Sequence, residues 1–180
     1  MLAEHRGEVL HHGVHDLRLH GQHHGAAARR HLAPVLGEHA PLLVSIAAGV
    51  READINRWAG GDMAIVRTMP NTPALVGCGA TALFANARVD AGQRERADGI
   101  LQAVGITIWV DDEAQLDAVT ALSGSGPAYY FLLMEIMQAT GEAMGLDAEA
   151  ARRLTLQTAL GAARIANESD VTRSRSTAGG

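Results

Sequence analysis

The stretch from Ala128 to Met144 is apolar around almost its whole helical circumference. Its only charged or amide side chains, Glu135, Gln138 and Glu142, fall on one narrow face when the stretch is wound as a helix. A helix with this pattern has to be covered on nearly every side. Because one neighbouring helix gives too little cover, the stretch predicts a helical module that completes its core with a second copy of the chain.

Helical patterns also flank this stretch. A second helix is expected at Ala150 to Ala166, after a turn that ends in the capping residue Asp147. Small side chains at Gly161–Ala163 permit close contact between helices. Upstream, an apolar helical stretch from Leu116 to Leu122 is expected to break at Ser123–Pro127, where glycines and a proline interrupt it. The C-terminal part therefore predicts an all-α region.

Between Leu42 and Val110, short apolar runs alternate with helical patterns. Two prolines, Pro70 and Pro73, forbid both helix and central strand in the connection between two of these runs. The alternation predicts an α/β fold with a doubly wound, parallel sheet. The expected strands are Leu42–Ala47, Met63–Met69, Thr81–Ala85 and Ile106–Val110, and the expected helices are Arg51–Trp58 and Asp90–Val104.

The N-terminal segment differs from the rest. All nine histidines lie between His5 and His39. Residues 1–30 show neither strand alternation nor a helical apolar stripe, so disorder or a weak helix is expected there. His11, His12 and His15 would lie near one another on a helix, but no cysteine or paired carboxylate accompanies them. We expect no metal site, and a His-rich metal-binding protein is kept as an alternative.

Composition excludes several classes of partner. Acidic residues outnumber basic ones by 20 to 15, so nucleic acid is not an expected partner. The apolar runs Leu42–Val50 and Ala128–Met134 are far shorter than the roughly 20 residues of a bilayer span, and no signal-peptide pattern is seen. We expect no membrane association and a cytoplasmic location. The single cysteine, Cys78, cannot form an internal disulfide and is expected to be an inert turn residue.

Taken alone, the polar residues of interest have ordinary structural interpretations. Ala47–Gly49 fits a strand-to-helix turn, Asn71 a rigid connector, and Glu113 a solvated carboxylate at a helix start. Ser123 and Ser125 are by default helix-capping hydroxyls, and no histidine follows residue 39 to serve them as a base. These patterns by themselves assign no reaction.

Three segments carry more information. Val66–Pro73 reads VRTMPNTP, Asp117–Tyr129 reads DAVTALSGSGPAY, and Gln157–Ala163 reads QTALGAA. Together they resemble the pyrroline-5-carboxylate reductase family, and the likeness runs from about His31 to Ser169. The resemblance implies an oxidoreductase of proline biosynthesis that reduces the cyclic imine of 1-pyrroline-5-carboxylate to L-proline with NADPH or NADH. It also implies a Rossmann domain, a helical dimerisation domain, and a homodimer or higher homo-oligomer.

The resemblance assigns regions and site residues. It divides the chain into the His/Arg/Gly-rich segment 1–30, a partial Rossmann-like dinucleotide-binding domain at 31–111, and a helical dimerisation and substrate domain at 112–180. It implies no catalytic acid or base, because the imine is basic enough to be partly protonated near neutral pH. The implied cofactor-binding residues are Ala47, Ala48, Gly49 and Asn71, and the implied substrate-binding residues are Glu113, Ser174, Thr177, Gly179 and Gly180.

Two parts of the family pattern are missing or altered. The first forty residues contain no G-x-G-x-x-G fingerprint, whose backbone N–H groups hold the cofactor pyrophosphate. Ser176–Gly180 carries alanine where the family's substrate turn has proline. We therefore expect NADPH to bind at least about 100-fold more weakly than to a complete member, with little or no turnover. A catalytically inactive fragment that only dimerises is the alternative.

Overall fold

The computed structural model describes residues 41–168, which divide into two compact units at the boundary between Ser125 and Gly126. The His-rich segment and the residues Ser174, Thr177, Gly179 and Gly180 lie outside the described residues. The first unit is α/β and the second is helical. The expected functional division after residue 111 stays a prediction.

The α/β unit contains every strand and helix expected between residues 42 and 110, with ends shifted by at most two residues. The strands are β1 (Leu43–Ser45), β2 (Ile65–Met69), β3 (Gly79–Ala85) and β4 (Gly105–Trp109). The helices are α1 (Glu52–Trp58), α2 (Ala91–Gln102) and α3 (Gln115–Val119), with a 3-10 turn at Thr72–Val76. The helical unit contains α4 (Gly126–Ala143) and α5 (Ala148–Glu168).

The sheet has the order β1-β2-β3-β4. β1 pairs with β2 in parallel and β3 pairs with β4 in parallel, whereas β2 and β3 are antiparallel. This parallel-dominated sheet, followed by helices, confirms the expected partial Rossmann-like fold. The expectation of a parallel sheet is wrong at one pair, β2 and β3. The antiparallel pair follows from the short connection between β2 and β3, because a parallel pair needs a longer crossover.

Alternation along β2 places Arg67 between two helices. Ile65 packs with α1 in one buried cluster, Val66 packs with α2 in a second, and Met69 packs with α3 in a third. Because successive strand residues point to opposite faces, Arg67 shares the face of Ile65 and Met69. The arginine therefore lies on the side of the sheet that α1 and α3 cover.

The segment between α3 and α4 contains the expected interruption. α3 ends at Val119, a π-helical turn covers Thr120–Gly124, and Ser125 forms a bend before α4 begins at Gly126, inside the expected range Ser123–Pro127. The Ser125 backbone N–H donates to the Thr120 carbonyl at 2.8 Å, which keeps the backbone helical. Proline is tolerated in the first turn of a helix, where its missing N–H has no partner to lose.

A close contact between small residues joins α4 and α5. A Cβ on Gly141 would lie 3.3 Å from Leu146 Cδ1 and 3.4 Å from Ala151 Cβ. Asp147 is the cap of α5 as expected, with Oδ1 accepting from the Ala150 N–H at 2.9 Å. A Cβ on Gly161 would meet nothing within 4 Å among the described residues, so the close helix contact that Gly161–Ala163 permits stays a prediction.

The helical unit leaves much of its apolar surface uncovered. Tyr129 is 62% exposed and Leu133 is 53% exposed, although both belong to the apolar helix α4. None of the helices described between residues 41 and 168 is long and apolar enough to cross a membrane. The exposed large apolar residues of this unit are Tyr129, Tyr130, Phe131, Leu132, Leu133, Ile136, Met137, Met144, Leu146, Leu154, Leu156, Leu160 and Ile165.

Candidate functional site

The turn Ala47–Gly49 lies between β1, which ends at Ser45, and α1, which begins at Glu52. Ala48 and Gly49 are exposed, and Gly49 has a φ of +73°, a conformation that L side chains rarely adopt. A Cβ there would meet no atom within 4 Å among the described residues. The chain thus offers open backbone at the carboxyl end of a parallel strand, where open α/β sheets bind their ligands.

Glu113 lies just before α3 and is held by two donors on one oxygen. Its Oε1 accepts from the Glu52 backbone N–H at 2.6 Å and from Arg67 Nη1 at 2.7 Å. The Glu113 side chain is only 22% exposed. Its interpretation as a solvated helix-start carboxylate is therefore wrong, because it reaches across to α1 and β2.

The bond to Glu52 gives α1 an N-terminal cap from a distant part of the chain. Within residues 41–168, Arg51 at the N-cap position makes no side-chain capping bond. Glu113, 61 residues downstream of Glu52, supplies the acceptor instead. A carboxylate at a helix N-terminus is also stabilised by the helix dipole. The cap places Glu113 at the helix that directly follows Ala47–Gly49, so these candidate cofactor and substrate residues meet at one edge of the sheet.

Arg67 is a candidate site residue that the sequence analysis did not single out. Its side chain is 8% exposed and pairs with Glu113. In the sheet it lies between Ser45 of β1 and Phe84 of β3. A buried guanidinium needs a counter-ion, so the one charge in the apolar run MAIVRTM was the signal that could have revealed it.

Asn71 follows β2 and connects three segments. Its Oδ1 accepts from the Ala80 N–H at 2.9 Å, and its Nδ2 donates to the Ser123 carbonyl at 3.2 Å. The amide therefore holds the end of β2 against β3 and the π-helical turn. An asparagine amide has two N–H groups and two lone pairs, so one donor and one acceptor position are still available to a ligand.

Cys78 is a free, exposed thiol in the turn after Gly77, whose φ is +70°. Ser123 Oγ donates to the Val119 carbonyl at 3.2 Å, and within residues 41–168 no helix N-terminal N–H donates to it. Among the described residues, no group of three or more His, Cys, Asp or Glu side chains is arranged to hold a metal ion.

Comparisons with known proteins connect this geometry to a family. The family model for pyrroline-5-carboxylate reductase dimerisation matches residues 113–180. The chain is 59% identical over 140 residues to a pyrroline-5-carboxylate reductase of Pseudomonas aeruginosa, a match that covers 78% of this chain and 51% of the relative. The chain belongs to the pyrroline-5-carboxylate reductase family. A second member, from Haemophilus influenzae, is 49% identical over 127 residues, covering 71% of this chain and 47% of that protein.

Solved structures of the family share the fold. A pyrroline-5-carboxylate reductase from Coxiella burnetii superposes with a TM-score of 0.79 at 47% identity, covering 86% of this chain and 58% of that one. The Plasmodium falciparum enzyme, solved with NADP bound, superposes with a TM-score of 0.74 at 31% identity, covering 87% and 62%. The chain spans about half the length of the curated relatives it matches.

Proposed function

We propose that this chain reduces the cyclic imine of 1-pyrroline-5-carboxylate to L-proline with NADPH or NADH, in proline biosynthesis in the cytoplasm. The observation that carries the proposal is the Glu113 carboxylate, held by Arg67 and the Glu52 N–H beside the open turn after β1. Family membership supports the reaction, and the NADP bound to the Plasmodium falciparum relative supports the cofactor.

The turn Ala47–Gly49 fits the cofactor's approach because it is open and carries small side chains or none. When bound, NAD(P)H supplies a hydride for the imine carbon. Ala47, Ala48 and Gly49 would lie against the cofactor. Asn71 Nδ2 donates one N–H to the Ser123 carbonyl, and its other N–H would orient the cofactor. None of these residues needs to change protonation state for this role.

Glu113 would bind the substrate through its second carboxylate oxygen. Both described donors use Oε1, so Oε2 can accept from the N–H of a protonated imine. A fixed carboxylate next to that nitrogen favours the protonated form, which is the form that accepts hydride. The carbon gains the hydride, the nitrogen keeps its proton, and the product is L-proline. Ser174, Thr177, Gly179 and Gly180 would hold the substrate carboxylate.

The helical unit supports assembly into a homodimer or a higher homo-oligomer. Exposed residues such as Phe131, Leu132 and Ile136 give α4 an apolar face with no cover in the described chain. The match to a dimerisation family model from residue 113 onward supports a second copy as the cover. Burial of each such side chain contributes about 1.5 to 3 kcal/mol.

A direct assay tests the proposal. Purified chain is mixed with 1-pyrroline-5-carboxylate and NADPH at a concentration high enough to offset weak binding, and NADPH oxidation is followed together with L-proline formation. We expect equal amounts of NADPH consumed and proline formed. Glu113→Gln should lower the rate, and Glu149→Gln, on the exposed surface of α5, is the matched control. Absence of proline formation at every NADPH concentration contradicts the proposed reaction.

A further inference from the structure

We infer that Arg67 is a positioning residue that fixes the Glu113 carboxylate for substrate, and this inference rests on the proposed function for its catalytic consequence. Arg67 and the Glu52 N–H converge on Oε1, which leaves Oε2 without a donor among the described residues. Oε2 has access to solvent. Within residues 41–168, the buried side-chain nitrogen or oxygen without a partner is Asp98 Oδ1, not Glu113 Oε2. Arg67 thus holds one oxygen and leaves the other free.

Because Arg67 is more buried than Glu113, Arg67 determines where the Glu113 carboxylate lies. Its side chain is less exposed than that of Glu113, 8% against 22%, and its backbone is paired to strands on both sides. Because the Arg67 guanidinium is fixed in this way, the ion pair forms only when the Glu113 carboxylate lies next to it. The position of Glu113 is therefore determined by the sheet rather than by the loop before α3.

The neighbouring Glu52 carboxylate does not compete with Glu113 for the ion pair with Arg67. The Glu52 carboxylate accepts from Asn86 Nδ2 at 2.7 Å, and Asn86 also donates to the Met63 carbonyl at 2.9 Å. Within residues 41–168, Glu113 is the carboxylate at ion-pair distance from Arg67. Loss of Arg67 would leave Glu113 tied only to the Glu52 N–H, and a half-buried carboxylate without its cation turns toward water.

Three variants test the inference through steady-state kinetics. Arg67→Met removes the charge and keeps most of the stem, Arg67→Lys keeps the charge, and Glu113→Gln keeps the shape of the acceptor. We expect Arg67→Met to raise the KM for 1-pyrroline-5-carboxylate at least tenfold while the KM for NADPH stays within about twofold, with partial rescue in Arg67→Lys. The double variant R67M/E113Q should be no worse than the poorer single variant, because the two residues act as a unit. Equal changes in both KM values, or losses that add, overturn the inference.

A second measurement does not depend on turnover. Amide hydrogen exchange at Glu52 reports whether Glu113 still caps α1, and we expect at least tenfold faster exchange there in Arg67→Met. Arg88→Met is the matched control, since Arg88 pairs with Asp62 at the exposed surface of the same unit. If the unmodified chain makes no proline, the proposed function fails, and the exchange experiment still decides the positioning role. Unchanged Glu52 exchange in folded Arg67→Met overturns that role. If Arg67→Met does not fold, Arg67→Gln, which removes the charge but stays polar, takes its place, and unchanged Glu52 exchange in that variant overturns the role.

Discussion

Gly79 and Gly105 face each other across β3 and β4 at a distance that only glycine permits. A Cβ on Gly105 would lie 2.0 Å from the Gly79 carbonyl oxygen, and Gly105 has a φ of +151°. A Cβ on Gly79 would lie 2.8 Å from the Val104 carbonyl oxygen. The start of this parallel pair therefore depends on two glycines that come from separate parts of the chain.

Gly105→Ala is expected to lower the free energy of unfolding by about 3 kcal/mol or more, because the new methyl group clashes with backbone that cannot move aside. Urea denaturation followed by circular dichroism measures the change. Gly99→Ala is the control: a Cβ there meets nothing within 4 Å in the described chain, and alanine in a helix interior should stabilise α2 by about 0.5 to 1 kcal/mol. Similar stabilities for the two variants would contradict the close approach.

Leu133→Glu and Met137→Glu are each expected to convert the proposed homo-oligomer to monomer or to aggregate. Both side chains lie on the exposed apolar surface of α4, and a charge buried there without a partner costs more than one apolar contact contributes. Light scattering measures the molar mass. Gln138→Glu, on the narrow polar face of the same helix, should leave the mass unchanged. A dimer that persists in both glutamate variants counts against this packing.

Asn71→Ala is expected to lower the free energy of unfolding by about 1 to 3 kcal/mol, because it leaves the Ala80 N–H and the Ser123 carbonyl without their partner. Chemical denaturation checks this value, with exposed Thr72→Ala as the neighbouring control. If Asn71 also orients the cofactor, the KM for NADPH rises in Asn71→Ala and not in Thr72→Ala. Unchanged stability in Asn71→Ala would show that the two hydrogen bonds contribute little.

The 180-residue chain is expected to bind NADPH at least about 100-fold more weakly than a chimera whose first forty residues are replaced by a family segment carrying G-x-G-x-x-G. Two lost charge-assisted contacts to pyrophosphate already amount to about 3 kcal/mol. Fluorescence titration with NADPH compares the two proteins, and equal dissociation constants would show that another part of the chain holds the pyrophosphate.

Local patterns predicted the elements of the fold well. Asp90 begins α2 as expected, with Oδ1 accepting from the Gln93 N–H at 2.7 Å while Gln93 Oε1 accepts from the Asp90 N–H at 3.0 Å. Such capping depends on residues three apart, so it is visible in the sequence. The direction of β3 is not visible in this way, because the apolar alternation of a strand is the same for parallel and antiparallel pairing.

The sequence by itself determined where strands and helices form, which helix needs cover, and which family the chain resembles, because these depend on periodicity, caps and contiguous motifs. Only the tertiary structure decided that Glu113 caps α1 and pairs with Arg67, since these bonds join residues 61 and 46 positions apart. A carboxylate before a helix has the same local pattern whether it faces water or a buried guanidinium. The packing of α1 and α3 on one face of the sheet makes the difference.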